Sequence, residues 1–123
     1  MSAEGPVLVG IRGVAEGEVF ALEYGRSLVI GRSRDCDVSL RNCRRWVEAE
    51  EKGEQPLPTA KTVSRKHVKI TCNDPQSVEL EDLSSNGTFV DGKRIDRLVL
   101  TDVQETPHEL VLGGGDAFRL EWR

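Results

Sequence analysis

The chain has 123 residues, with 17 Lys plus Arg against 21 Asp plus Glu and a formal net charge of −4. Hydrophobic residues at 37% and charged residues at 31% suit a single domain over 1–123, with apolar material for one core and not two. A net acidic balance excludes indiscriminate nucleic-acid binding, so any anion site must be a local positive island.

Strand character opens at Val7 to Ile11 and returns at Val19 to Leu22 and at Leu28 to Ile30. Arg41 to Val63 breaks the pattern: it is charged, carries Glu48, Glu50, Glu51 and Glu54, and ends in Pro56-Leu57-Pro58. A long loop is expected there. Within it Asn42 to Lys52 suits a short helix bearing Trp46 and Val47, without a strong capping signal, and disorder is the alternative. Val68, Ile70 and Cys72 then alternate with His67, Lys69 and Thr71, as Val78 and Leu80 do with Ser77, Glu79 and Glu81. Thr88-Phe89-Val90 and Lys93-Arg94-Ile95 flank Asp91-Gly92, the pair that a type I′ hairpin requires. Glu109 to Leu112 leads through Gly113-Gly114-Gly115-Asp116 to a last alternation, Phe118, Leu120 and Trp122 inward and Arg119, Glu121 and Arg123 outward. So many strands with so little helical periodicity imply an all-β sandwich or barrel.

Cys36, Cys43 and Cys72 are odd in number and form no CxxC pair, so reduced thiols are expected. With His67 and His108 they make no recognised ligand spacing, and neither a metal nor a cofactor is expected. The most apolar run, Leu28-Val29-Ile30, is far short of the roughly 20 residues that cross a bilayer. Met1 to Pro6 lacks a basic flank and apolar region of the signal-peptide kind, so the expectation is a cytoplasmic protein without membrane insertion.

Three polar clusters sit at the ends of strand candidates: Gly31-Arg32-Ser33, Ser64-Arg65-Lys66-His67 and Ser84-Ser85-Asn86-Gly87-Thr88. Singly, each has an ordinary explanation as a strand exit, a hairpin turn or a solvated loop. Their order and the Ser64 to Asn86 spacing resemble the forkhead-associated (FHA) domain. So do the run Asp82 to Ile95 and the late Gly115-Asp116 pair. The resemblance covers nearly the whole chain. It implies an 11-stranded β-sandwich of two mostly antiparallel sheets, whose loops at one end bind phosphothreonine in an extended segment of a partner. That partner would be a Ser/Thr kinase substrate or the kinase itself.

Phosphothreonine carries about −1.5 to −2 charge, so its site needs a cation and several donors. By resemblance, Arg32 would offer its guanidinium fork, Ser64 and Ser85 their hydroxyls, and Arg65 a second cation. Asn86 would hold the peptide main chain, because a carboxamide both donates and accepts. Gly31 would let the chain turn beside Arg32, Gly87 would let the loop turn behind Asn86, and His67 would brace the loop of Ser64. Ser33, Arg34 and Lys66 are candidates for additional contacts, with ordinary surface residues the favoured reading.

The interval from Arg32 to Ser64 is longer than the family usually has, and the excess falls in 41–63. A passive insert is the favoured reading, against a peptide surface extended by Arg44, Arg45 and Trp46. Two rival functions remain. A Ser64, His67 and Asp82 hydrolase is disfavoured, since an extended Ser64–His67 segment would separate the pair by about 10 Å on opposite sides. A scaffold of the same fold for phosphorylation-independent or homotypic binding is the second, so the expectation is a binding module and no enzyme.

Overall fold

The computed structural model describes residues 5–54, 58–74 and 76–123. Eleven strands are found among them: β1 (Pro6–Arg12), β2 (Val19–Ala21), β3 (Arg26–Gly31), β4 (Val38–Ser39), β5 (Val68–Asp74), β6 (Ser77–Asp82), β7 (Thr88–Val90), β8 (Lys93–Ile95), β9 (Arg97–Leu100), β10 (His108–Leu112) and β11 (Asp116–Trp122). One sheet has the order β2-β1-β11-β10-β7-β8 and the other β4-β3-β5-β6-β9. Their ladders are antiparallel except the short parallel pairing of β3 with β4. This is the expected sandwich.

The two-residue alternation builds its core. Leu8, Leu110, Leu112, Phe118 and Leu120 of the first sheet, with Ile30, Val68, Ile70, Val78 and Leu80 of the second, are each at most 1% exposed. Burying a side chain of this size is worth about 1.5–3 kcal/mol. Trp122, expected inward, is only half-buried at the sheet end. Asp91 (φ 51°) and Gly92 (φ 84°) both take the left-handed conformation between β7 and β8, as a type I′ turn demands. Strands β4 and β9 were not anticipated: β4 is two residues long, and in β9 the exposed Val99 hides the alternation of Leu98 and Leu100.

The 41–63 segment is a loop only in part. Leu40–Asn42 and Pro58–Thr62 are 3-10 turns and Arg44–Glu51 forms a helix, α1, while Pro56 and Leu57 lie outside the described residues. No side chain caps the α1 N-terminus. Packing holds it instead, since Trp46 is buried in one cluster with Cys43, Ala60 and Val63. The three cysteines are free and buried, and burial pushes Cys43 up to about 12 and Cys72 to about 11. No helix among the described residues is long and apolar enough to cross a membrane.

Register decides which loops meet. Ile30 pairs with Val68, Val68 with Asp82, and Thr88 with Leu112. The exits of β3 and β6 therefore lie beside the entries of β5 and β7, and the three polar clusters meet at one end of the sandwich.

Candidate functional site

Backbone contacts set the site's frame. The N–H of Arg32 donates to the Ser64 carbonyl at 3.1 Å, and that of Ser33 to the Arg65 carbonyl at 3.1 Å. A Cβ on Gly31 would stand 2.0 Å from the Arg65 carbonyl oxygen. Gly31 thus serves a close approach between two segments of the chain: it ends β3 without a positive φ, and the chain bends directly after it at Arg32 and Ser33. The Arg32 side chain bends back so that Nε donates to the Val63 carbonyl.

His67 ties two loops together. Its Nδ1 accepts from the Ser64 N–H at 3.0 Å, and its Nε2 lies 2.7 Å from the Gly87 carbonyl oxygen. A carbonyl only accepts, so Nε2 carries the proton, Nδ1 is bare and the ring is neutral. Burial, the largest influence, accordingly pushes the His67 pKa below its ordinary value. The expectation of an extended Ser64–His67 segment is corrected here, since a turn brings the Ser64 amide onto the imidazole. Both ring nitrogens are committed to the backbone.

The third loop is held from within. Ser84 Oγ donates to Asp82 Oδ1 at 2.5 Å and accepts from the Gly87 N–H at 2.8 Å, while Thr88 Oγ1 donates to the same carboxylate oxygen at 2.8 Å. Gly87 has φ +100°, a conformation that favours glycine. The Ser85 N–H then donates to Ser64 Oγ at 3.1 Å, and Asn86 Nδ2 to the Thr62 carbonyl at 2.8 Å. These bonds draw Ser64, Ser85 and Asn86 together.

Arg32, Ser33, Arg34, Arg41 and Arg65 line an open cleft of about 390 Å³ beside them. Arg32 and Arg65 were expected at the site. Of the three candidates for additional contacts, Ser33 and Arg34 belong to the cleft wall, whereas Lys66 is exposed outside that lining. Arg41 was missed. Its Nε donates to the Arg32 carbonyl at 3.1 Å, and its guanidinium lies 5.2 Å from the centre of the Trp46 ring. Nothing local in the sequence marks it, because its place depends on α1 seating Trp46. Outside the cleft lining, Arg44 pairs with Glu48, Arg45 with Glu16, and Trp46 is buried with Nε1 donating to Glu50.

Several cations and hydroxyls at one rim suit an oxyanion, which charge-assisted hydrogen bonds hold well. Nucleophilic catalysis fits poorly, since Ser64 Oγ takes the Ser85 amide and His67 has no nitrogen left to receive its proton.

The sandwich thus gathers arginines and hydroxyls from three loops at one end, a loop surface of the kind that recognises a ligand rather than encloses a reaction. The family model described as "FHA domain" matches residues 28–110, and the chain belongs to that family. Among solved structures it is similar to the FHA domain of the CT664 protein from Chlamydia trachomatis, at 25% identity and TM-score 0.67, covering 94% of this chain and 95% of that one. A structure described under phosphothreonine-dependent FHA domain interactions is 26% identical, with TM-score 0.64 and 94% of each chain covered. The FhaA FHA domain complexed with the intracellular domain of Rv3910 is 26% identical, with TM-score 0.62, 97% of this chain and 100% of that one covered. No curated protein sequence matches the chain.

Proposed function

We propose that residues 1–123 form one FHA domain that binds partner proteins phosphorylated on threonine, in the cytoplasm and within Ser/Thr kinase signalling. FHA domains are interaction modules, and this one acts without catalysis or cofactor. Arg32 is its principal phosphate ligand, with Arg65, Ser64 and Ser85 adding charge and donors, and Asn86 holding the peptide main chain. Gly31, His67 and Gly87 support the three loops. The observation that carries this reading is the convergence of Arg32 on Ser64, of Ser64 on Ser85 and of Asn86 on Thr62, from three loops far apart in the chain. The two 26% identical structures support it, one described by phosphothreonine dependence and one solved with an intracellular partner domain.

The test is a phosphothreonine peptide library offered to wild type, Arg32→Ala and Arg32→Lys. A hydrogen bond to a charged group is worth about 1.5–3 kcal/mol, so Arg32→Ala should weaken binding tenfold or more. Arg32→Lys keeps the charge but loses the fork, and should fall between. Equal retention of phosphorylated and unphosphorylated peptides by folded wild type would overturn the reading, and a natural partner that stays bound after phosphatase treatment would favour the scaffold.

A further inference from the structure

The cleft holds more positive charge than one phosphate uses. Arg32, Arg34, Arg41 and Arg65 line it together, and none takes part in an ion pair among the described residues. Elsewhere Arg26, Arg44, Arg45, Arg97, Arg119 and Arg123 each face a glutamate, and Arg12 and Arg94, which do not, lie apart from the cleft rather than gathered in it. In a protein of net charge −4, four guanidinium groups left without carboxylates in one cleft are a concentrated positive field.

Two of them are held in place by the backbone. Arg32 and Arg41 use Nε for carbonyl oxygens, of Val63 and Arg32 respectively, which fixes each guanidinium plane and leaves the Nη nitrogens to other partners. Arg41 is further seated on Trp46, and Trp46 is anchored by burial and by Glu50. The insert therefore builds one wall of the cleft. It is not passive.

Charge balance then names the occupant. One phosphothreonine brings about −1.5 to −2 against four positive charges, and a second phosphate brings the sum close to neutral where a lone carboxylate does not. A second phosphate also matches the two-pronged geometry of further arginines.

We propose that this cleft takes a second phosphate from the same peptide, on a residue near the phosphothreonine, with Arg34 and Arg41 as its principal ligands. The proposal rests on the phosphothreonine reading above and deepens it: the preferred partner is a doubly phosphorylated segment. Arg41 is the residue through which the 41–63 insert sets selectivity.

The test compares four synthetic peptide series by titration calorimetry: unphosphorylated, singly phosphorylated on threonine, doubly phosphorylated with phosphoserine scanned over five positions on either side, and the same scan with glutamate. For wild type, at least one doubly phosphorylated peptide should bind ten times more tightly than the single form, with a steeper loss at high salt. The readout for variants is the ratio of the two affinities. It should fall toward one in Arg41→Gln and in Arg34→Gln, the latter exposed and so safe for folding. An increment at no position, an equal increment from glutamate, or an increment that survives both substitutions would overturn the proposal while leaving phosphothreonine binding intact. Folded wild type that ignores the singly and doubly phosphorylated peptides alike would overturn both.

Discussion

Nε2 of His67 donates to the carbonyl oxygen of Gly87 at 2.7 Å, across 20 residues of sequence, and the opposite nitrogen of the same ring receives the Ser64 amide. One buried side chain thus sets the distance between the loop of Ser64 and the loop of Asn86. His67→Ala removes both bonds and leaves a cavity, so it should cost about 3 kcal/mol in urea unfolding and weaken phosphopeptide binding at least tenfold. Protonation would have the same sense. Burial holds the folded pKa below the ordinary 6.5, so stability is present above that value and falls as pH drops toward the folded pKa, where the unfolded chain takes up the proton first. Imidazole nitrogen chemical shifts should report the neutral tautomer with the proton on Nε2 at pH 7. A charged ring there would refute the assignment.

Gly31 tests whether backbone contact or side-chain chemistry positions Arg32. A methyl at Gly31 would meet the Arg65 carbonyl oxygen at 2.0 Å and the Ser64 carbonyl oxygen at 2.9 Å, and backbone cannot swing aside. Gly31→Ala should therefore cost about 3 kcal/mol and push the Ser64–Arg65 chain away from Arg32, with loss of phosphopeptide binding. Gly10→Ala is the matched control. It meets the Ala15 carbonyl at 1.7 Å, away from the loop cluster, and should destabilise similarly while the folded fraction binds peptide as wild type does.

The strands that were legible in the sequence are those whose burial alternates, such as β5, β6 and β11, because a two-residue period is written in the side chains themselves. The turn at Asp91-Gly92 was equally legible, since its positive φ angles demand particular residues. What stayed hidden depends on tertiary contact. Strand β4 exists only because it pairs with the end of β3, and α1 only because Trp46 has a core to enter. The site divided the same way. Arg32, Ser85 and Asn86 follow strand ends and Ser64 precedes β5, so all four could be picked out by motif, whereas Arg41 reaches the cleft through a helix whose docking no local pattern announces.

Asp82 organises the third loop with one oxygen. Oδ1 accepts from Ser84 N–H at 3.1 Å, from Ser84 Oγ at 2.5 Å and from Thr88 Oγ1 at 2.8 Å. Burial alone, the largest single influence, would raise the Asp82 pKa, but these bonds together with nearby His67 outweigh it and hold the carboxyl below its ordinary value. A depressed carboxylate stabilises the fold above the unfolded value of 3.8, and that stability is lost as pH falls through the folded pKa. Asp82→Ala should cost about 2 kcal/mol and quicken exchange of the Gly87 amide, which depends on the Ser84 hydroxyl. Unchanged exchange at Gly87 would show that the loop keeps its shape without the carboxylate.

His108 stands at the opposite end of β10 from the site and carries the opposite pH sign. Its Nδ1 bonds Asp91 Oδ2 at 2.6 Å and its Nε2 bonds Asp102 Oδ1 at 2.7 Å, so both nitrogens face carboxylates and both donate when the ring is charged. Burial, the largest single influence, pushes its pKa down, yet the bonds and charges of Asp91 and Asp102 together prevail and raise it above 6.5. The clamp joins the β7–β8 turn to the segment before β10. Its stabilisation is complete below the unfolded value of 6.5 and is lost as pH rises through the folded pKa. Urea midpoints measured from pH 5.5 to 8.5 should fall on the alkaline side for wild type, and His108→Gln should flatten that limb while leaving the acid-side loss assigned to His67. Parallel curves for the two proteins above pH 6.5 would remove His108 as the source.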